Sequence, residues 1–148
     1  MTTSRRARAI TDRIVIHCSA TPPAHDIGRV QIDQWHKARG WAGIGYHFVI
    51  RRDGVLEYGR EATKVGAHAR GYNKCAIGIC LIGGIDEVGR PTANFTQAQW
   101  AALERLLSAL KLIWPAAEVI GHNEVSAKAC PSFDVQAWLS ALPDTQLT

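Results

Sequence analysis

Three side chains able to bind zinc sit where a rigid fold can bring them together. His17 closes the apolar run Ile14-Val15-Ile16, His122 closes the run Glu118 to Gly121, and Cys130 follows eight residues later, just before Pro131. Two imidazoles and a thiolate leave a fourth position open on the metal, the arrangement of a catalytic zinc. A structural zinc is usually closed by four ligands in close pairs, and the chain has no CxxC or HxxxH pair. Cys18 adjoins His17, but successive strand residues point to opposite faces, so Cys18 is expected to turn away from a metal that His17 faces. Each residue also has an ordinary alternative: a strand-end histidine in a hydrogen-bonded core, a lone cysteine as small buried filler.

Two more residues extend the chemistry. Lys128 lies two before Cys130 and in an extended loop shares its side, which puts an ammonium where an attacked carbonyl gains negative charge. Tyr46 opens a β-prone run expected to neighbour the His17 strand, so its hydroxyl could reach the attacking water or the scissile group. Without a metal, the two read as a solvated charge and a core aromatic.

The elements that must position these groups follow from apolar spacing. Ile14 to His17 reads as a buried strand ending before Pro22-Pro23, and Val30, Ile32, Trp35 and Ala38 fit a helix stopped by Gly40. Tyr46 to Ile50 and Val55 to Tyr58 flank Asp53-Gly54, which predicts a hairpin. Ile77 to Ile82 predicts another buried strand closed by Gly83-Gly84. Thr96 with Gln99 forms a capping box ahead of Trp100, Leu103, Leu107, Leu110 and Trp114, a helix ended by Pro115. Glu118 to Gly121 is a last strand, and Asp134 opens a C-terminal helix with Val135, Trp138, Leu139 and Leu142 inward. The expected fold class is α/β, a mixed central β-sheet flanked by helices in a single domain.

Composition sets the bounds. The chain has 148 residues, 47% of them apolar, enough for one self-sufficient core and too apolar for a disordered chain. No apolar run approaches the ~20 residues of a membrane span, so an integral membrane protein is excluded. Arg5, Arg6, Arg8 and Arg13 against Asp12 put +3 of the net +4 in the first thirteen residues. That placement reads as a basic tail on a near-neutral body rather than a basic binding face, and no direct nucleic-acid binding is expected. The expected boundaries are a basic tail over 1–10, a catalytic domain over 11–142 and a C-terminal tail over 143–148. No secretion signal follows Met1, which points to synthesis in a cytoplasm. The four cysteines then read as reduced, although Cys75 and Cys80 could close a small disulfide under oxidation.

Ordered blocks along the chain carry a resemblance. They are Ile16-His17-Cys18-Ser19-Ala20-Thr21, Trp35-His36-Lys37, Gly45-Tyr46-His47-Phe48, Arg52-Asp53-Gly54, Val65-Gly66-Ala67-His68-Ala69, Gly71-Tyr72-Asn73, Gly83-Gly84-Ile85-Asp86, Ala93-Asn94-Phe95-Thr96 and Lys128-Ala129-Cys130-Pro131-Ser132-Phe133-Asp134. Together they resemble the zinc-dependent N-acetylmuramoyl-L-alanine amidases, a superfamily that includes peptidoglycan recognition proteins, and within it the short phage endolysins. The resemblance implies one Zn2+ per chain on His17, His122 and Cys130, with Tyr46 and Lys128 as the catalytic pair. It implies hydrolysis, by zinc-activated water, of the amide between N-acetylmuramic acid and L-alanine in bacterial peptidoglycan, leading to host lysis. Which of Tyr46 and Lys128 moves the proton stays open. His68 and Asn73 are expected to line the groove and contact the muropeptide, while His47 is expected to turn away from Tyr46 and support the hairpin. His25, His36 and Trp41 read as packing or surface residues.

The resemblance further implies a monomer made in the host cytoplasm that reaches the wall after a holin permeabilises the membrane. Binding to the phage RNA polymerase is a possible second role, tied to an N-terminal segment that here is a divergent Arg-rich stretch. Two rival classes remain to be weighed. One is a glycan hydrolase using Glu57 or Glu124 with Asp53. The other is a binding module that has lost the zinc, which the retained ligands disfavour.

Overall fold

Strand β1 (Arg13–Cys18) is apolar on both faces because it is an interior strand covered on both sides of the sheet, with Ile14, Val15 and Ile16 all fully buried. The computed structural model describes residues 6–143 and Leu147. The other strands are β2 (Phe48–Ile50), β3 (Leu56–Tyr58), β4 (Ala76–Leu81) and β5 (Glu118–Gly121), in spatial order β3-β2-β4-β1-β5. β1 pairs in parallel with β4 and β5, and β2 in parallel with β4, while β2 and β3 form the antiparallel hairpin predicted around Asp53-Gly54. The sheet is therefore mixed, as expected.

Residue alternation divides the core into layers. Ile14, Ile16, Phe48, Ile77, Ile79 and Leu81 pack with helices α2 (Gln97–Ile113) and α3 (Val135–Ala141) on one face. Val49 and Cys80 pack on the other, with Ile32 of helix α1 (Arg29–Ala38), Ile44 and Ile82. His17 pairs with Cys80 in register and so belongs to the α1 side. Full burial of one Ile or Leu stabilises the fold by roughly 1.5–3 kcal/mol.

The helix boundaries obey their caps. The Thr96 side chain accepts from Gln99 N–H, and the Gln99 side chain accepts from Thr96 N–H, a cap of about 1 kcal/mol. Asp134 caps α3 by accepting from Ala137 N–H. α1 ends at Gly40, whose φ of +90° suits a residue without a side chain. Its inward face differs from the expectation: Ile32 and His36 are buried, while Val30 and Trp35 are exposed.

A second difference concerns Tyr46. β4 lies between β2 and β1, so the Tyr46 segment does not neighbour the His17 strand. Regular pairing in β2 begins only at Phe48. Alternation therefore does not govern Tyr46 and His47, and both rings lie near His68, at 6.5 and 5.5 Å between centroids.

Part of the expected tail is pinned to the body. Arg8 N–H donates to Thr63 O, Val65 N–H donates to Arg6 O, and the Arg8 guanidinium donates to Lys64 O while lying over the Trp114 ring. Leu147 is buried within the α2 and α3 core. Residues 1–5 of the expected basic tail, with half of the stretch 2–9 tied to a polymerase role, lie outside the described residues, as do 144–146 and 148 of the expected C-terminal tail. Among the described residues no helix is long and apolar enough to cross a membrane.

Candidate metal centre and cleft

His17 comes from β1, His122 from the first residue of the 3-10 turn that follows β5 (His122–Glu124), and Cys130 from the loop leading to α3. Because β1 and β5 are adjacent and parallel, their C-terminal ends lie side by side. One ligand atom from each of the three residues lies within 4.8 Å of the other two. His17 Nδ1 is 3.7 Å from Cys130 Sγ, and the rings of His17 and His122 are 4.5 Å apart between centroids. The donor set of two imidazoles and one thiol, with no fourth protein ligand among the described residues, fits a zinc with an open position.

The electrostatics agree with that fit. Burial holds the pKa of His17 well below the usual imidazole range, helped by the neighbouring His68, His122 and Lys128. Burial and then Lys128 lower His122 in the same direction. Both rings are thus neutral near pH 7, the form in which an imidazole can coordinate. The Cys18 thiol, and then burial, hold the Cys130 thiol above its ordinary range, so without a cation it stays protonated. The Cys18 side chain itself lies in the α2-side core, as strand alternation predicts, and its backbone N–H donates to Cys130 Sγ.

A cleft of about 690 Å³ opens over this cluster. Tyr46, His68, Asn73 and Lys128 all border it, so every expected site residue lies at one place. The Tyr46 ring lies 5.0 Å from that of His17, and burial raises its phenol pKa well above the ordinary value. Lys128 is exposed. Asn73 Oδ1 accepts from the backbone N–H groups of both His68 and Ala69, which shapes the 67–73 loop.

Sequence reading missed part of the wall. His36, Arg39, Trp41 and Arg70 also border the cleft. Arg39 stacks over Trp41, whose ring meets His36 at 4.6 Å. Arg39, Arg70 and Lys128 are cationic, and among the described residues no carboxylate lines the cleft. The cleft is therefore a basic surface, which the charge distribution along the chain did not disclose. A helix ending in Ala38-Arg39-Gly40-Trp41 looks in sequence like any helix C-terminus.

The carboxylates of the glycan-hydrolase alternative are engaged elsewhere. Glu57 accepts from Arg29 N–H and pairs with Arg51, Glu124 accepts from Gly121 N–H and Gln136, and Asp53 accepts from Val55 N–H in the hairpin turn. None of them lines the cleft.

Residues 6–133 match the family model described as N-acetylmuramoyl-L-alanine amidase. The chain belongs to the N-acetylmuramoyl-L-alanine amidase family. This amidase is of the phage endolysin type: it is 50% identical over 133 residues to the endolysin of Escherichia phage T7, covering 90% of this chain and 88% of that one. With the endolysin of Klebsiella phage KP32 it shares 51% identity over 131 residues, 88% of this chain and 87% of the relative. Its fold matches the amidase LysC of Clostridium intestinale with a TM-score of 0.80 at 31% identity, covering 95% and 92% of the two chains. Drosophila PGRP-LB superposes with a TM-score of 0.79 at 27% identity, covering 98% and 89%.

Proposed function

We propose that the amidase is zinc-dependent, with His17, His122 and Cys130 holding one Zn2+ and with Tyr46 and Lys128 acting on the scissile amide. The observation that carries this reading is the convergence of the three donor atoms within 4.8 Å at the head of the cleft. Zinc bound there supplies a Lewis acid that polarises the amide carbonyl and acidifies an attacking water.

The chain's own residues do the rest. Cys130 receives a backbone N–H from Cys18, which stabilises its sulfur as a thiolate ligand. Lys128, exposed on the cleft wall, supplies positive charge to the oxygen that becomes negative as the carbonyl is attacked. Tyr46 keeps its proton near pH 7, so its hydroxyl acts as a donor. Hydrolysis moves one proton from water to the departing alanine nitrogen, and Tyr46 and Lys128 are the cleft groups suited to carry it.

The substrate is the amide joining the lactyl group of N-acetylmuramic acid to L-alanine in peptidoglycan. Stem peptides carry free carboxylates, and the cations Arg39 and Arg70 in a wall without acids suit them. Asn73 and His68, which both border the cleft, contact the muropeptide. The enzyme is made in the host cytoplasm and reaches the wall by the holin route.

Digestion of purified walls tests this reading. New free amino groups on L-alanine should appear without new reducing sugar ends, cease on chelation and return with zinc. Chelator-resistant cleavage would overturn the metal assignment, and reducing ends would overturn the bond assignment.

A further inference from the structure

Both ring nitrogens of His68 are engaged within the protein. His68 Nε2 lies 3.2 Å from Ala76 O, and His68 Nδ1 lies 2.9 Å from His17 Nε2. A carbonyl oxygen only accepts, so His68 Nε2 carries the proton. In a neutral imidazole the other nitrogen is then an acceptor, and His17 Nε2 must be the donor. This leaves His17 Nδ1 with its lone pair, and Nδ1 is the atom that faces Cys130 Sγ. A metal-binding histidine ordinarily passes its second N–H to a carboxylate, a carbonyl or water. Here a second histidine takes it, and the chain of bonds ends on the β4 backbone.

The seat of that histidine is built by missing side chains. A Cβ on Gly78 of β4 would lie 2.5 Å from His68 Cγ, and one on Gly66 would lie 2.6 Å from His68 Cδ2. Gly78 is the register partner of Val15, two residues before His17, so the opening lies beside the ligand strand. His47 backs the arrangement: its Nδ1 accepts from Gly78 N–H, its Nε2 donates to Lys64 O, and its ring meets His68 edge-on at 5.5 Å. The rings of His17 and His68 are nearly perpendicular, which fixes the His17 plane as well as its tautomer.

We propose that His68 is a positioning residue for the metal: by accepting the His17 Nε2–H, it holds His17 in the tautomer and orientation that present Nδ1 to the zinc. The proposal rests on the zinc reading above.

Two measurements test it, and they separate its failure from that of the zinc reading. Zinc affinity is measured by chelator competition on the wild type, His68→Leu and His68→Gln, beside thermal melts of the zinc-free proteins. Leu fills the seat without accepting, and Gln can accept from His17 and donate to Ala76 O. The expected result is a 10- to 100-fold weaker affinity in His68→Leu, the usual cost of losing such a partner, with Gln recovering most of it. A wild type that binds no zinc removes the metal reading itself. A wild type that binds zinc with His68→Leu binding equally well overturns the positioning role, and a fall in melting temperature alone would mark His68 as merely structural.

Should His68→Leu fail to fold, the wild type carries the question by imidazole 15N NMR of the zinc-loaded protein. Both His17 and His68 are expected as Nε2–H tautomers, with coupling across the hydrogen bond between them. His68 protonated at Nδ1 would overturn the proposal.

Discussion

The backbone N–H of Cys18 donates to Cys130 Sγ across 3.2 Å, tying the end of β1 to a loop 112 residues further along the chain. The sulfur is thereby held beside His17, and the sheet that carries Cys18 becomes part of the proposed metal centre. Cys130→Ser keeps an atom that can accept this hydrogen bond but gives up the thiolate, whose affinity for zinc a hydroxyl does not match. The expected outcome is a folded protein whose zinc affinity falls by at least about 100-fold, with activity lost in proportion. Calorimetric zinc titration, with circular dichroism as the control, checks it. Unchanged affinity would mean that Cys130 is not a ligand.

The roles proposed for Tyr46 and Lys128 separate by kinetics on a soluble muropeptide. Removing one group that stabilises developing charge typically lowers kcat about 100- to 1000-fold, and this is the loss expected for Lys128→Ala. Tyr46→Phe keeps the ring that packs near His17 and removes only the hydroxyl, so kcat should fall about 100-fold with little change in zinc content. A Tyr46→Phe enzyme with normal kcat would leave Tyr46 as a cleft wall.

Arg39 and Arg70 face a cleft without carboxylates. Replacing either with Gln should raise KM several-fold for stem peptides with free carboxylates. It should matter much less for amidated ones, and added salt should shrink the difference. Equal effects on both substrates would remove charge from the explanation.

Gly78 makes room for the His68 ring, so Gly78→Ala forces the ring or the strand to move. Crowding of this kind typically costs about 1–3 kcal/mol of stability. Zinc affinity should drop as well, because His68 bonds His17. Chemical denaturation and zinc titration of the same variant check both effects, and unchanged values would show that the seat has slack.

His47 links pH to stability. Burial brings its pKa from 6.5 down to about 4. The unfolded chain gains this proton below about pH 6.5, and the folded chain only below about 4. The neutral ring's contribution is therefore complete above pH 6.5 and is lost as pH falls through 4, at no more than about 1.4 kcal/mol per pH unit. Urea unfolding of zinc-free protein at pH 7 and pH 5 should show a smaller pH dependence in His47→Gln than in the wild type. Equal dependences would assign the effect to other groups.

The candidate metal ligands, which the structure brings within 4.8 Å of one another, could be picked out in the sequence because each follows a simple signal: His17 and His122 end apolar strands, and Cys130 opens the turn into a capped helix. The hairpin at Asp53-Gly54 and the capping box at Thr96 and Gln99 were legible for the same reason, since local chemistry decides them. Strand order was not, and placing Tyr46 beside β1 failed because β4, distant in sequence, lies between them. The seat of His68 was hidden too, since Gly66 and Gly78 matter for the room they leave across the fold. The cleft's charge was obscured by counting along the chain: Arg39, Arg70 and Lys128 are far apart in sequence and share one wall in space.

The most direct test of the metal centre is anomalous diffraction at the zinc edge from zinc-soaked crystals. One peak is predicted about 2.0–2.1 Å from His17 Nδ1 and a His122 ring nitrogen and about 2.3 Å from Cys130 Sγ, with no fourth protein ligand. A peak elsewhere, or one bound through His17 Nε2, His68 or the Cys18 thiol, would contradict it.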